Sequence, residues 1–217
     1  MKFDKFANTY IKYNLIQKKI IKSYLPFIKK RVVDLGCGSE GLCKYKKFDF
    51  YLGVDKSKEM LKLNPCNVIN MDFDKKECFE MIKKYSFDQI VSFSALQWSK
   101  NLEFVFKEIK KLNKSFLLAL FTSNTFKSLY AFLNIKSPIY SREEILSYSS
   151  IFNFLNIDII YYEMEFNSSK EMLNYIKFSG VSGNTNAKIS KIRTLLKYNL
   201  LKKLEFEIVV LRYDIIK

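Results

Sequence analysis

The chain has no histidine among its 217 residues. That absence excludes His-based catalytic triads, haem ligation by histidine and histidine proton shuttles. Arginine is scarce: Arg31, Arg142, Arg193 and Arg212 are the four, which leaves 33 of the 37 basic residues as lysine. Arginine is the usual choice for phosphate and base-edge recognition, so its scarcity argues against a nucleic-acid reader. No run of about 18 apolar residues occurs, and no membrane span is expected. Met1 to Ile16 mixes Lys2, Asp4, Lys5 and Lys12 with aromatics and lacks the apolar centre of a signal peptide, so a cytoplasmic protein is expected. The four cysteines (Cys37, Cys43, Cys66, Cys78) match no zinc spacing and are expected to be ordinary packing or surface thiols, with no metal site. There are no internal repeats and no Pro/Gly/Ser-rich linkers, so one domain is expected.

What is present is apolar and basic. Hydrophobic residues make up 48%, enough for a sizeable core, and the net charge is +15. The abundant lysine, isoleucine, asparagine and phenylalanine fit the coding bias of an AT-rich genome. The same charge also fits an acidic partner, and composition leaves both open.

Residues 4–24 read as an amphipathic helix, with Phe6, Tyr10, Tyr13, Gln17, Ile20 and Tyr24 at steps of three and four, ending before Pro26. Strands are expected at Arg31–Leu35, Phe50–Val54, Asn67–Met71, Asp88–Phe93 and Phe116–Phe121, with helical stretches between them. Beyond Phe121 the rhythm loosens. Helices are expected at Phe126–Leu133, Arg142–Tyr148, Lys170–Phe178 and Ile189–Leu201, and strands at Asp158–Phe166 and Phe206–Tyr213, with a break at Gly180 and Gly183. Strand–helix alternation implies an α/β fold: a Rossmann-like, seven-stranded, mostly parallel sheet with helices on both faces and a small helical lid. Residues 1–30 would supply a lid helix, 31–121 a cofactor-binding core, and 122–217 lid insertions and the last strands.

The most informative stretch is Val32-Val33-Asp34-Leu35-Gly36-Cys37-Gly38-Ser39-Glu40-Gly41. A short apolar run ends in a carboxylate and then a glycine turn, after which a helix N-terminus is expected. Gly36, Gly38 and Gly41 match the dinucleotide pattern, which alone is weak. Asp34 changes the reading. A buried carboxylate needs a cation or hydrogen-bond donors; pyrophosphate would repel it, whereas the ammonium of S-adenosylmethionine (SAM) would match it. Asp34, Asp55, Asp72 and Ser92 are spaced by 21, 17 and 20 residues, each at the end of an expected strand. A ligand across the carboxyl edge of the sheet would meet all four. Asp55, followed by Lys56, can accept both hydroxyls of a ribose. Asp72 can accept from an adenine amino group, Phe73 can flank the ring, and Ser92 and Phe93 can supply backbone groups.

This spacing resembles that of class I SAM-dependent methyltransferases. A narrower likeness covers nearly the whole chain. Phe3-Asp4-Lys5-Phe6-Ala7-Asn8-Thr9-Tyr10 with Gln17, Ala95-Leu96-Gln97-Trp98, Phe121-Thr122-Ser123 and Met172-Leu173-Asn174-Tyr175-Ile176-Lys177-Phe178-Ser179-Gly180 resemble the malonyl-[acyl-carrier protein] O-methyltransferases of biotin synthesis. The resemblance implies SAM as cofactor, malonyl-acyl carrier protein as an acidic partner, and methyl transfer to the malonyl carboxylate. It also implies Tyr10 and Trp98 around the reacting methyl, and Gln17 reaching the cofactor. Where the family carries an arginine after the fifth strand, Lys136 and Arg142 are the candidates to hold the substrate carboxylate. A malonyl carboxylate is ionised near pH 7, so no strong general base is needed. Other readings are a methyltransferase for a quinone precursor or a free carboxylic acid, an RNA methyltransferase (disfavoured by the lack of an Asn/Asp-Pro-Pro-Tyr/Phe motif after the fourth strand), and a SAM-binding module without turnover. A monomer is expected.

Overall fold

A computed structural model describes residues 12–153, 155–179 and 188–215. Helix α1 (Leu15–Tyr24) buries Ile16, Ile20, Ile21 and Tyr24, the stripe expected of an amphipathic helix, and ends where Pro26 enters a 3-10 turn, Leu25–Phe27. The part of the expected helix before residue 12, including Tyr10, lies outside the described residues, as do Gly180 and Gly183.

Strand β1 (Arg31–Leu35) is followed by a 3-10 turn at Leu42–Lys44, β2 (Phe50–Asp55), α2 (Lys58–Leu63), β3 (Val68–Asn70), α3 (Lys76–Ile82) and β4 (Gln89–Phe93). A 3-10 turn at Leu96–Trp98 leads to α4 (Leu102–Lys111), β5 (Ser115–Phe121), α5 (Lys127–Leu133) and α6 (Arg142–Ser149). Then come β6 (Asn156–Glu165), α7 (Ser169–Phe178), α8 (Ile189–Tyr198) and β7 (Lys203–Tyr213). The sheet has seven strands in the order β3-β2-β1-β4-β5-β7-β6. β1 to β5 are mutually parallel, and β7 runs antiparallel between β5 and β6.

Two-residue periodicity sorts the central strands into two cores. Val32, Tyr51, Val91, Leu117 and Ala119 face one layer, covered by α1 and by Leu129 and Leu133 of α5, Met172 and Ile176 of α7, and Leu195 of α8. Val33, Leu35, Leu52, Val54, Ile90 and Leu118 face the other, against Phe79 and Ile82 of α3, Val105 and Phe106 of α4, and Ile145 of α6. Both faces of β1 and β5 are therefore buried, which is why they read as unbroken apolar runs. Among the described residues no helix is long and apolar enough to cross a membrane.

The strand order reverses between β1 and β4. In an open α/β sheet the crevice beyond the carboxyl ends of strands at such a switch point is where a ligand fits.

Candidate functional site

That crevice holds a cleft with a volume of about 300 Å3, walled by the turn after β1, the ends of β2 and β4, Gln17 and Ile21 of α1 and its N-cap residue Asn14. The turn is shaped by close approach. Gly36 has φ +74°, and a Cβ there would lie 2.2 Å from the Ala95 Cβ. Its N–H donates to the Val54 carbonyl at 2.7 Å, which folds the chain back over β2. No full helix follows the turn: Leu42–Lys44 is a single 3-10 turn, contrary to the expected helix N-terminus. A pyrophosphate seat built on helix N–H groups is therefore not formed here.

Asp34, on β1, is 4% exposed and lines the cleft. Its Oδ2 accepts a 2.8 Å hydrogen bond from the Tyr51 hydroxyl. Burial pushes its carboxyl up from 3.8 to about 7, opposed by the Tyr51 bond and reinforced by the Asp55 charge. Among the described residues no lysine or arginine forms an ion pair with it. A buried carboxylate with a neutral partner on one side and a cleft on the other is suited to receive a cation. Gln17, 6% exposed, presents an Oε1 with no hydrogen-bond partner among the described residues, as does the Oδ1 of Asn14. Both residues line the same cleft, with these two oxygens themselves buried in its wall.

Asp55 ends β2 and holds the floor. It accepts from the Gly38 N–H at 2.9 Å and from the Ser57 N–H at 2.8 Å. Lys56 and Phe73 line the cleft; Lys56 lies 5.7 Å over the Phe73 ring and 3.8 Å from Asp72. Asp72 stands behind that pair rather than on the cleft wall, and it also accepts from the Asp74 N–H. Ser92 is fully buried and donates to the Leu35 carbonyl at 2.7 Å, pinning β4 to the end of β1 beside the switch point; its neighbour Phe93 lines the cleft. Gly38, Gly41 and Trp98 line it as well.

The acceptor-side candidates are dispersed. Tyr10 lies outside the described residues. Lys136 lines a second, more open cavity with Ser123, Lys127, Tyr130 and Glu144. Arg142 pairs with the buried Glu207 at 3.6 Å and with Glu143 at 3.4 Å, and donates to the Tyr161 hydroxyl. It lines neither cavity, because Glu207, which also accepts from Thr122 and Asn124, draws it to β7.

The thiol expectation needs correction. Cys43 and Cys66 form a disulfide, while Cys37 and Cys78 are free and buried. Parallel pairing of β1, β2 and β3 brings the loop after the glycine turn against the loop after α2, a proximity that cysteine spacing does not reveal. Asn64 completes the brace: its Nδ2 donates to the Gly38 carbonyl at 2.7 Å, and its Oδ1 accepts from the Cys66 N–H at 2.9 Å.

Sequence reasoning missed Asn14, Glu40, Tyr51 and Ala95. Glu40 carried a signal, being a charged residue inside the glycine turn. It accepts from Asn14 at 3.1 Å and pairs with Lys18 at 3.5 Å, joining α1 to the turn across the cleft. Tyr51 carried none, since it occupies an ordinary apolar strand position.

Residues 33–115 match a family described as "Methyltransferase domain". The malonyl-[acyl-carrier protein] O-methyltransferase of Bacillus cereus is 24% identical over 227 residues, covering 90% of this chain and 84% of that one. The putative methyltransferase 235L of Invertebrate iridescent virus 6 is 29% identical over 140 residues, covering 61% of this chain and 52% of that one. Among solved structures, a SAM-dependent methyltransferase from Archaeoglobus fulgidus superposes with a TM-score of 0.54 at 19% identity, covering 93% of this chain and 94% of that one. A putative methyltransferase of Haloferax volcanii, solved in complex with the Trm112 methyltransferase activator, gives 0.56 at 16% identity, covering 100% and 98%. With the switch-point cleft and its buried carboxylate, these likenesses support a SAM-dependent methyltransferase domain: residues 33–115 match the domain family, and the whole chain has the fold of the solved methyltransferases.

Proposed function

We propose that this protein transfers a methyl group from SAM to the free carboxylate of malonyl-acyl carrier protein, giving the methyl ester that primes biotin synthesis. The observation that carries the cofactor half is Asp34, buried with Tyr51 as its hydrogen-bond donor and open to the cleft. The acceptor half is supported by the Ala95–Trp98 and Met172–Gly180 segments and by the Bacillus cereus relative, whose likeness spans 90% of the chain.

When bound, SAM supplies an electrophilic methyl on a positively charged sulfur. The chain's part is to bind, orient and exclude water. Asp34, Gln17 and Asn14 would hold the amino-acid end, and Asp55 the ribose. Phe73 and Phe93 would flank the adenosine. Trp98 would wall the methyl side, with Tyr10 closing over it. An ionised acceptor needs no proton removed, so chemistry without histidine is sufficient. Holding carboxylate oxygen and methyl in line can lower the barrier by about 7–11 kcal/mol. The acidic carrier would meet the basic surface around α1, where Lys22 and Lys30 are exposed.

A second reading, a small uncharged acceptor such as a quinone precursor, is favoured by one observation. Among the described residues, Lys56 is the one lysine or arginine on the cleft wall, and it is paired with Asp72. The deciding experiment incubates the protein with SAM and malonyl-carrier and weighs the carrier. A gain of one methylene mass supports the carboxyl reading. No gain, with methyl transfer to a quinone precursor, supports the second.

A further inference from the structure

On β1 and β2 the register pairs Val32 with Tyr51 and Asp34 with Gly53. Tyr51 and Asp34 therefore share a sheet face on a diagonal. Gly53, directly opposite Asp34, has no side chain, and a Cβ there would lie 2.7 Å from the Cys37 Sγ. That space is taken by the Cys37 thiol and by Val68, which close over Gly53 beside the Tyr51–Asp34 pair. The Tyr51 ring is 8% exposed and packs against Phe48 at 5.4 Å between centroids, so its hydroxyl is aimed rather than free to swing.

We propose that Tyr51 is the positioning residue for cofactor binding: its hydroxyl holds the Asp34 carboxylate toward the cleft as the acceptor for the cofactor's ammonium, and binding proceeds with release of a proton from Asp34. The inference rests on the reading that Asp34 receives that ammonium. The balance is simple. The protonated carboxyl of Asp34 and the ligand's –NH3+ give a carboxylate–ammonium pair, and one proton leaves to solvent. No bond within the ligand changes.

The surroundings of Asp34 support the coupling. From β2 it meets the Tyr51 hydroxyl and the Asp55 carboxylate, and from the turn the buried Cys37 thiol. Across the cleft stand Glu40, paired with Lys18, and Lys56, paired with Asp72. On the same cleft wall α1 and its N-cap place Gln17 and Asn14, which do not titrate. Burial, the Asp34 charge and the Cys37 thiol all push the Tyr51 hydroxyl well above its ordinary range, so it remains a donor. Burial places the Asp34 carboxyl near neutrality, where the empty site binds a proton and the filled site does not.

The test uses S-adenosylhomocysteine, which carries the same amino-acid group and does not react. Calorimetry of the unaltered protein in buffers of different ionisation enthalpy counts protons. Release should approach one per site at pH 6, fall to about zero near pH 7.5, and give way to uptake above it as the ligand's own amine titrates. Affinity should rise about tenfold per pH unit below neutrality and level off before the ligand's own amine titrates near 8. Tyr51→Phe should move that acid limb upward by about one pH unit, weakening binding about tenfold at pH 6.5 and less than threefold at pH 8. A residue that merely packs would weaken binding equally at every pH. Absence of proton release, or a pH-independent loss in Tyr51→Phe, overturns the inference. Asp34→Asn separates the two levels: if it binds as tightly as the unaltered protein, the reading of Asp34 itself falls; if it loses binding while Tyr51→Phe leaves the acid limb in place, only the role of Tyr51 falls.

Discussion

The backbone N–H of Gly38 donates to the Asp55 carboxylate at 2.9 Å, tying the glycine turn to the end of β2. One side chain thus shapes the turn and lines the cleft. Asp55→Ala should weaken SAM binding by about 10–100-fold, since it removes a charge-assisted acceptor and frees the turn. Asp55→Asn keeps an acceptor oxygen and should lose less. Titration calorimetry of the two variants checks the order.

The buried carboxyl of Asp34 costs stability. Its pKa lies at about 7 in the folded chain against 3.8 when unperturbed, so the folded state binds the extra proton between those values. Stability therefore falls as pH rises through that window, by roughly 4 kcal/mol if the group acts alone, and stays low above it. Asp34→Asn should make the empty protein more resistant to urea at pH 8 than the unaltered chain, with little difference at pH 4, and should abolish SAM binding. Urea unfolding at both pH values reads this out; equal midpoints at pH 8 would show that the carboxylate is not desolvated.

The Cys43–Cys66 bridge closes a loop of 23 residues that contains β2 and α2. By loop-closure entropy it should contribute about 3 kcal/mol. Cys43→Ser, or a dithiol reductant, should lower the melting midpoint by several degrees. Alkylation of the denatured, unreduced protein followed by mass measurement should label Cys37 and Cys78 alone; four labels would mean the bridge is absent.

Gly36→Ala should be severe. The new methyl meets the Ala95 Cβ at 2.2 Å, and φ +74° is unfavourable for any side chain. A loss of about 2–4 kcal/mol in stability is expected, together with loss of SAM binding, because the turn after β1 and the segment after β4 can no longer approach. Chemical unfolding and calorimetry of the purified variant test this; an unchanged midpoint would contradict the close approach.

The strand framework was legible because buried parallel strands need apolar residues on both faces. Arg31–Leu35 was read with the bounds it has, and Phe50 and Phe121 mark their strand ends as expected. Where the apolar signal is diluted the edges moved: the edge strand β3 is only Val68–Asn70, and β7 starts at Lys203 because its early residues pair with β6 rather than with the core strand. α3, a short helix with three buried residues, carried too little periodicity to be singled out.

The site was half legible for a related reason. Asp34, the three glycines and Asp55 lie at strand ends, and in a parallel sheet all strand ends gather at one edge, so spacing along the chain suffices to place them together. Sequence alone thus determined the strand–helix alternation and the sheet edge at which the cleft and the Asp34 carboxylate lie. Only the tertiary structure decided that Tyr51 donates to Asp34, that Asn14 joins Gln17 on the cleft wall, that Cys43 meets Cys66 and that Arg142 is claimed by Glu207. Those pairings depend on strand register and on how helices lie across the sheet, which are set by packing of the whole core and leave no local trace in the chain.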